Sequence, residues 1–347
     1  MSEPDVFLNE QHLRSADSLA FRSVGLEALD LDRVTRHIQD AFKRGRYPEL
    51  WPTDAVTYLL RRGCAIEVEG RHYPTVAGVL CFRRDPQSLI PDAVVDIAHY
   101  RGTVVGRDQL IHFEKDVPGT IFDQLQRIES YLWQNTHHGM NTDSDSFQRR
   151  ELHEYPRVVI RELAVNALSH RDYHLTDTSI RITLFRDRIQ WDSPGGLPPG
   201  VTVENILLQQ KSRNRNISRV LYEAGYVEAF GQGLDIVVNV LRDEGMEEAR
   251  FEDIGAACIV TVFGRKLESL QVGLYAHLPE SQQRIMNERR DHEEVPPMEL
   301  IERFAPERSR RSVQRDLDQL VEAGLVAATG QGKARRYFIL ARKNQVT

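Results

Sequence analysis

Between Arg161 and Asp172 the chain reads Arg161-Glu-Leu-Ala-Val-Asn-Ala-Leu-Ser-His-Arg-Asp172, which sets polar groups where a helix should be buried. Glu162, Asn166 and His170 follow one another at intervals of four, so all three stack on one helix face. Ile160, Leu163, Ala164, Val165, Ala167 and Leu168 supply the apolar filling of a core helix. A carboxylate and an amide taken into a core cost several kcal/mol unless they meet partners, so such a stripe lines a site. Further on, Asp192-Ser-Pro-Gly-Gly-Leu-Pro198 reads as a strand running into a Pro-Gly-Gly turn, where backbone can approach a ligand closely. Together a buried acid, an amide and a glycine turn suggest a nucleotide-phosphate and metal site.

Each residue then has one expected job. The Asn166 amide oxygen would ligate Mg²⁺, an ion that takes few protein oxygens alongside phosphates and water. Glu162, one turn away, would orient or deprotonate the water attacking a γ-phosphate, the catalytic role. Asp192 would accept from the exocyclic amino group of a purine. Backbone amides at Gly195 and Gly196, and at Gly231 and Gly233, would reach the phosphates of ATP. The polar segment 209–216 reads as a mobile loop whose Lys211, Arg213 and Arg215 would meet phosphate charge once nucleotide orders it. His170 reads as a structural hydrogen-bonding residue rather than a base.

The 347 residues suggest two or three domains. A chain 41% hydrophobic and 28% charged is not disordered over most of its length. Cys64, Cys81 and Cys258 lie far apart and form no CxxC pair, which argues against a disulfide framework or a zinc site. With no basic-then-apolar leader and no apolar run of membrane length, the expectation is a cytoplasmic protein without membrane contact.

Patterning places helices near 31–42, 54–62 and 121–133, a strand at 93–100, and a buried strand or helix at 75–82. Thr136 to Ser146 is turn-rich and marks a loop or boundary. Beyond it come the helix 157–169, strands 179–186 and 188–192, helices 203–209, 217–224 and 234–242, and a strand from Cys258 to Phe263. The expected domains are a mixed α/β lobe (1–145), an ATP-binding domain (146–268) and a C-terminal unit (275–347). In the last, helices at 281–290, 297–304 and from Ser309, then strands near 325–328 and 335–340, are the pattern of a winged helix.

From Arg303 to Lys343 ten basic residues face four acidic ones, an excess of six; with a whole-chain charge of −6, the remainder carries about −12. Arg310, Arg311, Gln314 and Arg315 lie on the non-core face of the third helix, and Lys333, Arg335 and Arg336 on the wing. Arginines on a recognition helix with a basic wing suit major-groove edges and phosphates of double-stranded DNA. The blander reading is a winged helix used for protein docking.

The segments Arg161 to Tyr173, Ser193 to Pro198, Asn214 to Asn216 and Gly231 to Gly233 resemble the ATP-binding domain of RecG-related, Schlafen-associated bacterial proteins, itself similar to the GHKL ATPases. The resemblance implies that Glu162 and Asn166 form the N box and that Asp192 to Gly196 and Gly231 to Gly233 form two glycine boxes. It also implies a Bergerat α/β sandwich and an ATP lid near 205–216. Upstream, Pro74 to Pro86 resembles the lobe preceding this domain in the family. Pro194 stands where GHKL enzymes have glycine, which favours binding over fast hydrolysis. The Schlafen-type domain with which many relatives begin has no room before Leu31. No GxxxxGK[ST] occurs, so a Walker-A helicase is unsupported. A kinase reading of His170-Arg-Asp172 fails because Asp177 stands where the catalytic asparagine belongs.

The expected function is an ATP-binding, DNA-binding regulator of the transcriptional class, in which nucleotide controls a winged-helix reader. The alternative is a slow ATPase in nucleic-acid processing or phage defence, with the winged helix as tether or oligomerisation element. A homodimer is compatible with either.

Overall fold

Six strands drawn from both halves of the first unit share one sheet, and that sheet decides where the polar-striped helix lies. The computed structural model describes residues 6–7, 15–47, 54–142, 149–209, 211–227, 233–265, 278–288, 309–323, 325–330 and 336–339. The chain divides into two units, Met1–Thr136 with Tyr155–Gly264, and His137–Glu154 with Arg265–Thr347.

The first unit opens with the short strands β1 (Val6–Phe7) and β2 (Ala20–Phe21), then α1 (Leu31–Lys43) and α2 (Ala55–Arg61). Asp30 and Asp54 cap these two helices by accepting from Arg33 N and Thr57 N. A hairpin follows, β3 (Ala65–Val68) and β4 (Arg71–Pro74). It turns at Glu69 and Gly70, both with positive φ as a tight hairpin turn requires. The apolar run after it is a helix, α3 (Val76–Phe82), capped by Thr75 and wholly buried. A Cβ on Gly78 would stand 2.0 Å from the Cys64 carbonyl oxygen, so glycine is what lets α3 seat on the preceding loop.

Next come β5 (Val95–Tyr100), β6 (Leu110–Val117) and α4 (Ile121–Asn135), then α5 (Arg157–His170), β9 (Ile180–Leu184) and β10 (Arg188–Pro194). The unit closes with α6 (Arg215–Ala224), α7 (Gly233–Asp243), β11 (Arg250–Asp253) and β12 (Ala257–Phe263). The sheet order is β11-β12-β10-β9-β5-β6, with β5 and β9 parallel and the other neighbours antiparallel. One hydrophobic core joins Val34 and Ile38 of α1, Ile97 of β5, Leu163 of α5 and Val262 of β12. The fold is mixed α/β, as expected.

Two expected elements differ. Residues 203–208 form turns, not a helix, because the Asn205 side chain competes for the backbone. Its Oδ1 accepts from Thr202 N at 2.7 Å and its Nδ2 donates to Gly200 O at 3.2 Å. The turn-rich stretch after Thr136 contains a strand, β7 (His138–Thr142), paired antiparallel with β8 (Arg149–His153) in the second unit.

That second unit also holds α8 (Glu280–Glu288), α9 (Arg310–Glu322) and the hairpin β13 (Val326–Thr329) with β14 (Arg336–Ile339). Ile285, Met286, Val313, Leu317, Leu320 and Tyr337 make its core. The helix expected at 297–304 lies outside the described residues. Among the described residues no helix is long and apolar enough to cross a membrane.

Candidate functional site

The helix α5 packs on the sheet through Ser193, whose hydroxyl donates to Ala167 O at 2.8 Å. It also borders a cavity of about 770 Å³. Glu162, Asn166 and His170 all line it, as the spacing of four anticipates. Gly233, the first residue of α7, stands against the first two: a Cβ there would lie 3.0 Å from Glu162 Oε2 and 3.3 Å from Asn166 Nδ2. The first carboxylate of the stripe therefore meets the electropositive start of a helix. Glu162 is buried and also pairs with Arg161 at 3.2 Å. Among the described residues, the buried Asn166 Nδ2 atom has no hydrogen-bond partner, and neither has the Trp191 indole N–H, on a side chain that lines the same cavity. Both groups are hydrogen-bond donors.

The first glycine turn works differently from expectation. Gly195 N donates to Ala256 O at 2.8 Å and Gly196 N to Gly255 O at 3.0 Å, continuing the β10–β12 ladder past Pro194. These amides are committed to the turn between β11 and β12 and do not face a phosphate. The glycines are required for space and conformation instead. Gly195 has φ +98° and a Cβ there would meet Asp172 Cβ at 2.6 Å; one on Gly196 would meet Gly255 O at 2.8 Å.

Asp192 is a second correction. Strand β10 runs through to Pro194, so side chains alternate along it. Trp191 and Ser193 face α5 and line the cavity, whereas Asp192 faces the opposite side of the sheet and does not line it. Burial raises its carboxyl above the usual range, opposed by nearby Arg181. It cannot accept from a base held in the cavity.

Lys211, Arg213 and Arg215 do line the cavity. Two are already engaged: Lys211 Nζ donates to Pro199 O at 2.9 Å, and Arg213 bridges Asp172 at 2.9 Å and the Gly196 carbonyl. Arg215 is exposed at the rim. Gly231 lies outside the described residues.

Arg171 of the His-Arg-Asp motif is structural. The buried Arg171 guanidinium donates to the carbonyls of Asp92 (3.0 Å), Leu175 (3.3 Å) and Thr178 (2.7 Å). Burial, reinforced by the charge of Arg213, pushes the His170 pKa down to about 4 from its ordinary 6.5. The unfolded ring therefore takes up its proton first as pH falls. His170's contribution to stability is complete above about pH 6.5 and declines by on the order of 3 kcal/mol towards pH 4. His170→Gln should flatten the pH dependence of urea unfolding across that window; an unaltered slope would remove His170 as its source.

In the second unit Arg310, Arg311 and Arg315 are exposed on α9, and Arg336 is half-buried at the start of β14. Gln314 is not available to a base edge: its amide donates to the Tyr337 hydroxyl at 2.6 Å and to Asp318 at 3.2 Å. The i, i+4 spacing to Asp318 was visible in the sequence; the Tyr337 partner, 23 residues away, was not. Lys333 and Arg335 lie outside the described residues.

Residues 177–262 match the family described as putative ATP-dependent DNA helicase recG C-terminal. The match marks a RecG-related, ATPase-like domain. It covers β9 to β11 and most of β12; α5, with Glu162 and Asn166, precedes it. The crystal structure of the DIP2311 protein from Corynebacterium diphtheriae is similar in fold, with a TM-score of 0.56 at 19% identity. The likeness covers 92% of this chain and 63% of that one, so this chain spans less than two thirds of that protein's length. No curated protein matches the chain.

Proposed function

We propose that this protein binds Mg·ATP in the α5 cavity and that nucleotide occupancy controls binding of double-stranded DNA by the second unit. The observation that carries the nucleotide half is the Asn166 Nδ2 donor, without a hydrogen-bond partner among the described residues, beside Glu162 and Gly233 in a cavity of nucleotide size within an ATPase-like domain. One amide and one carboxylate on successive turns fit Mg²⁺, which arrives with phosphates and water and needs few protein oxygens. Bound Mg²⁺ would neutralise phosphate charge. Asn166 would hold the metal, Glu162 would hold or take the proton of a water beside it, and Arg215, an exposed cation lining the cavity, would meet the phosphates. Arg213 joins them only by leaving Asp172, which makes the Asp172–Arg213 pair a point of competition with the triphosphate.

The DNA half rests on Arg310, Arg311 and Arg315, exposed along one helix that has its own core behind it. These arginines would meet phosphates first; with Gln314 committed to Tyr337, sequence reading would fall to them as well. The test is fluorescence anisotropy of a labelled duplex with the full chain over a salt series, with and without Mg·ATP. Arg311→Ala with Arg315→Ala should lower the salt slope by about 2, near 0.9 for each phosphate no longer neutralised. Mg·ATP should shift wild-type affinity at least about fivefold, the range of ordinary allosteric coupling. A slope unchanged in the double variant sinks the DNA assignment, and an affinity indifferent to nucleotide sinks the control.

A further inference from the structure

The stretch Arg213 to Ile217 joins the cavity wall to α6, and it is held from two sides. On one side Asn214, fully buried, donates from Nδ2 to Ser169 O at 2.9 Å and Arg171 O at 2.7 Å, tying the stretch to the end of α5. On the other side stands a single 3₁₀ turn, Ala16–Ser18, from the far end of the sequence. The Ser15 hydroxyl donates to Arg213 O at 2.8 Å. Asp17 Oδ2 accepts from Asn216 N at 2.7 Å and Ile217 N at 3.1 Å. Asn216 Nδ2 donates to Ser18 Oγ at 3.1 Å.

The first amides of a helix have no partner within it, and the residue before the helix normally supplies one from its own side chain. Asn214 occupies that position in α6 but makes no cap. Asp17 caps α6 in its place, with a carboxylate at the positive end of the helix dipole. That substitution frees Asn214 to bind α5. Asp17 is fully buried, and burial raises its carboxyl; the donors from Ser15, Ile217, Asn216 and Ser18 pull the other way. A buried carboxylate with that many donors fixes the backbone around it closely.

We infer that Asp17 is a positioning residue for the nucleotide site: by capping α6 from the N-terminal segment it sets where Arg213 and Arg215 stand relative to a bound triphosphate. The inference rests on the nucleotide reading above. Without Asp17, Asn214 becomes the side chain placed to cap α6, and turning to do so moves both flanking arginines. The effect falls on phosphate recognition, because the hydrogen-bond partners of Asp17 lie on its own turn and at the start of α6, away from the cavity walls of α5, β10 and α7.

Calorimetric titration of the full chain with Mg·ATP and with AMP separates the outcomes. In Asp17→Ala, affinity for Mg·ATP should fall about tenfold while affinity for AMP stays within about twofold, since the loss is of one charge-assisted arrangement. Asp17→Asn keeps an acceptor oxygen and the side-chain shape. It should restore most of the ratio, and it carries the test if the alanine variant does not fold, with an expected fall of about threefold, on the order of a lost cap charge. Equal losses for ATP and AMP would show a merely structural role and overturn the inference with the nucleotide reading intact. No ATP binding by the wild type would overturn both.

Discussion

Asn166→Leu is expected to lose nucleotide binding and gain stability. The Asn166 Nδ2 atom is buried with no hydrogen-bond partner among the described residues. A buried donor left unsatisfied costs roughly 1–3 kcal/mol, and replacing it by an apolar group of similar size removes that cost. For a unit of this size about 1 kcal/mol corresponds to some 2–4 °C in Tm. The same substitution deletes the amide proposed to hold Mg·ATP. Hydrogen bonds to charged groups contribute roughly 1.5–3 kcal/mol, so affinity for Mg·ATP should drop roughly 10- to 100-fold. Calorimetric titration with thermal unfolding of the same sample reads both signs. Nucleotide affinity unchanged in the variant would exclude Asn166 from the site, and a lowered Tm would mean that its amide is satisfied in the free protein. Opposite movements are the signature of a residue kept for function against stability.

The stripe on α5 could be read directly from the chain because its period is that of a helix and its polar members are costly in a core. Asp192 could have been placed by the same logic. Ile189, Trp191 and Ser193 alternate with Gln190 and Asp192, and following that alternation through Pro194 puts the carboxylate on the far face. The Pro-Gly-Gly signal instead suggested that the strand ended at Asp192. Other features have no local signature. The partners of the Gly195 and Gly196 amides come from residues 255 and 256. Strand β6 is half polar and half exposed, and it becomes a strand only by pairing with β5. Asp17 and its partners on α6 are separated by 199 and 200 residues. Such contacts depend on topology, which periodicity does not encode.

The far end of α6 supplies the largest expected stability effect. Glu223, buried near its C-terminus, accepts from the Tyr58 hydroxyl at 2.6 Å and from Arg62 Nε at 2.6 Å, with His37 Nε2 at 3.5 Å. These three partners belong to α1, to α2 and to the turn that ends α2, so a single carboxylate ties α6 to the N-terminal helices. Burial and the Glu223 charge together hold the Tyr58 phenol well above its ordinary range, which keeps it a donor. Arg62 also lies over the rings of Tyr47 and Tyr58, at 4.9 and 5.8 Å from their centroids. Removing one member of a buried charged group strands the others, at a cost of about 3–5 kcal/mol. Glu223→Leu should therefore destabilise the first unit by about that amount, whereas Glu223→Gln, which keeps an acceptor for Tyr58, should cost less. Urea unfolding of both variants decides the matter. A leucine variant as stable as wild type would mean that packing alone holds α6 in place. A glutamine variant as damaged as leucine would mean that charge on Arg62, rather than the Tyr58 hydrogen bond, carries the tie.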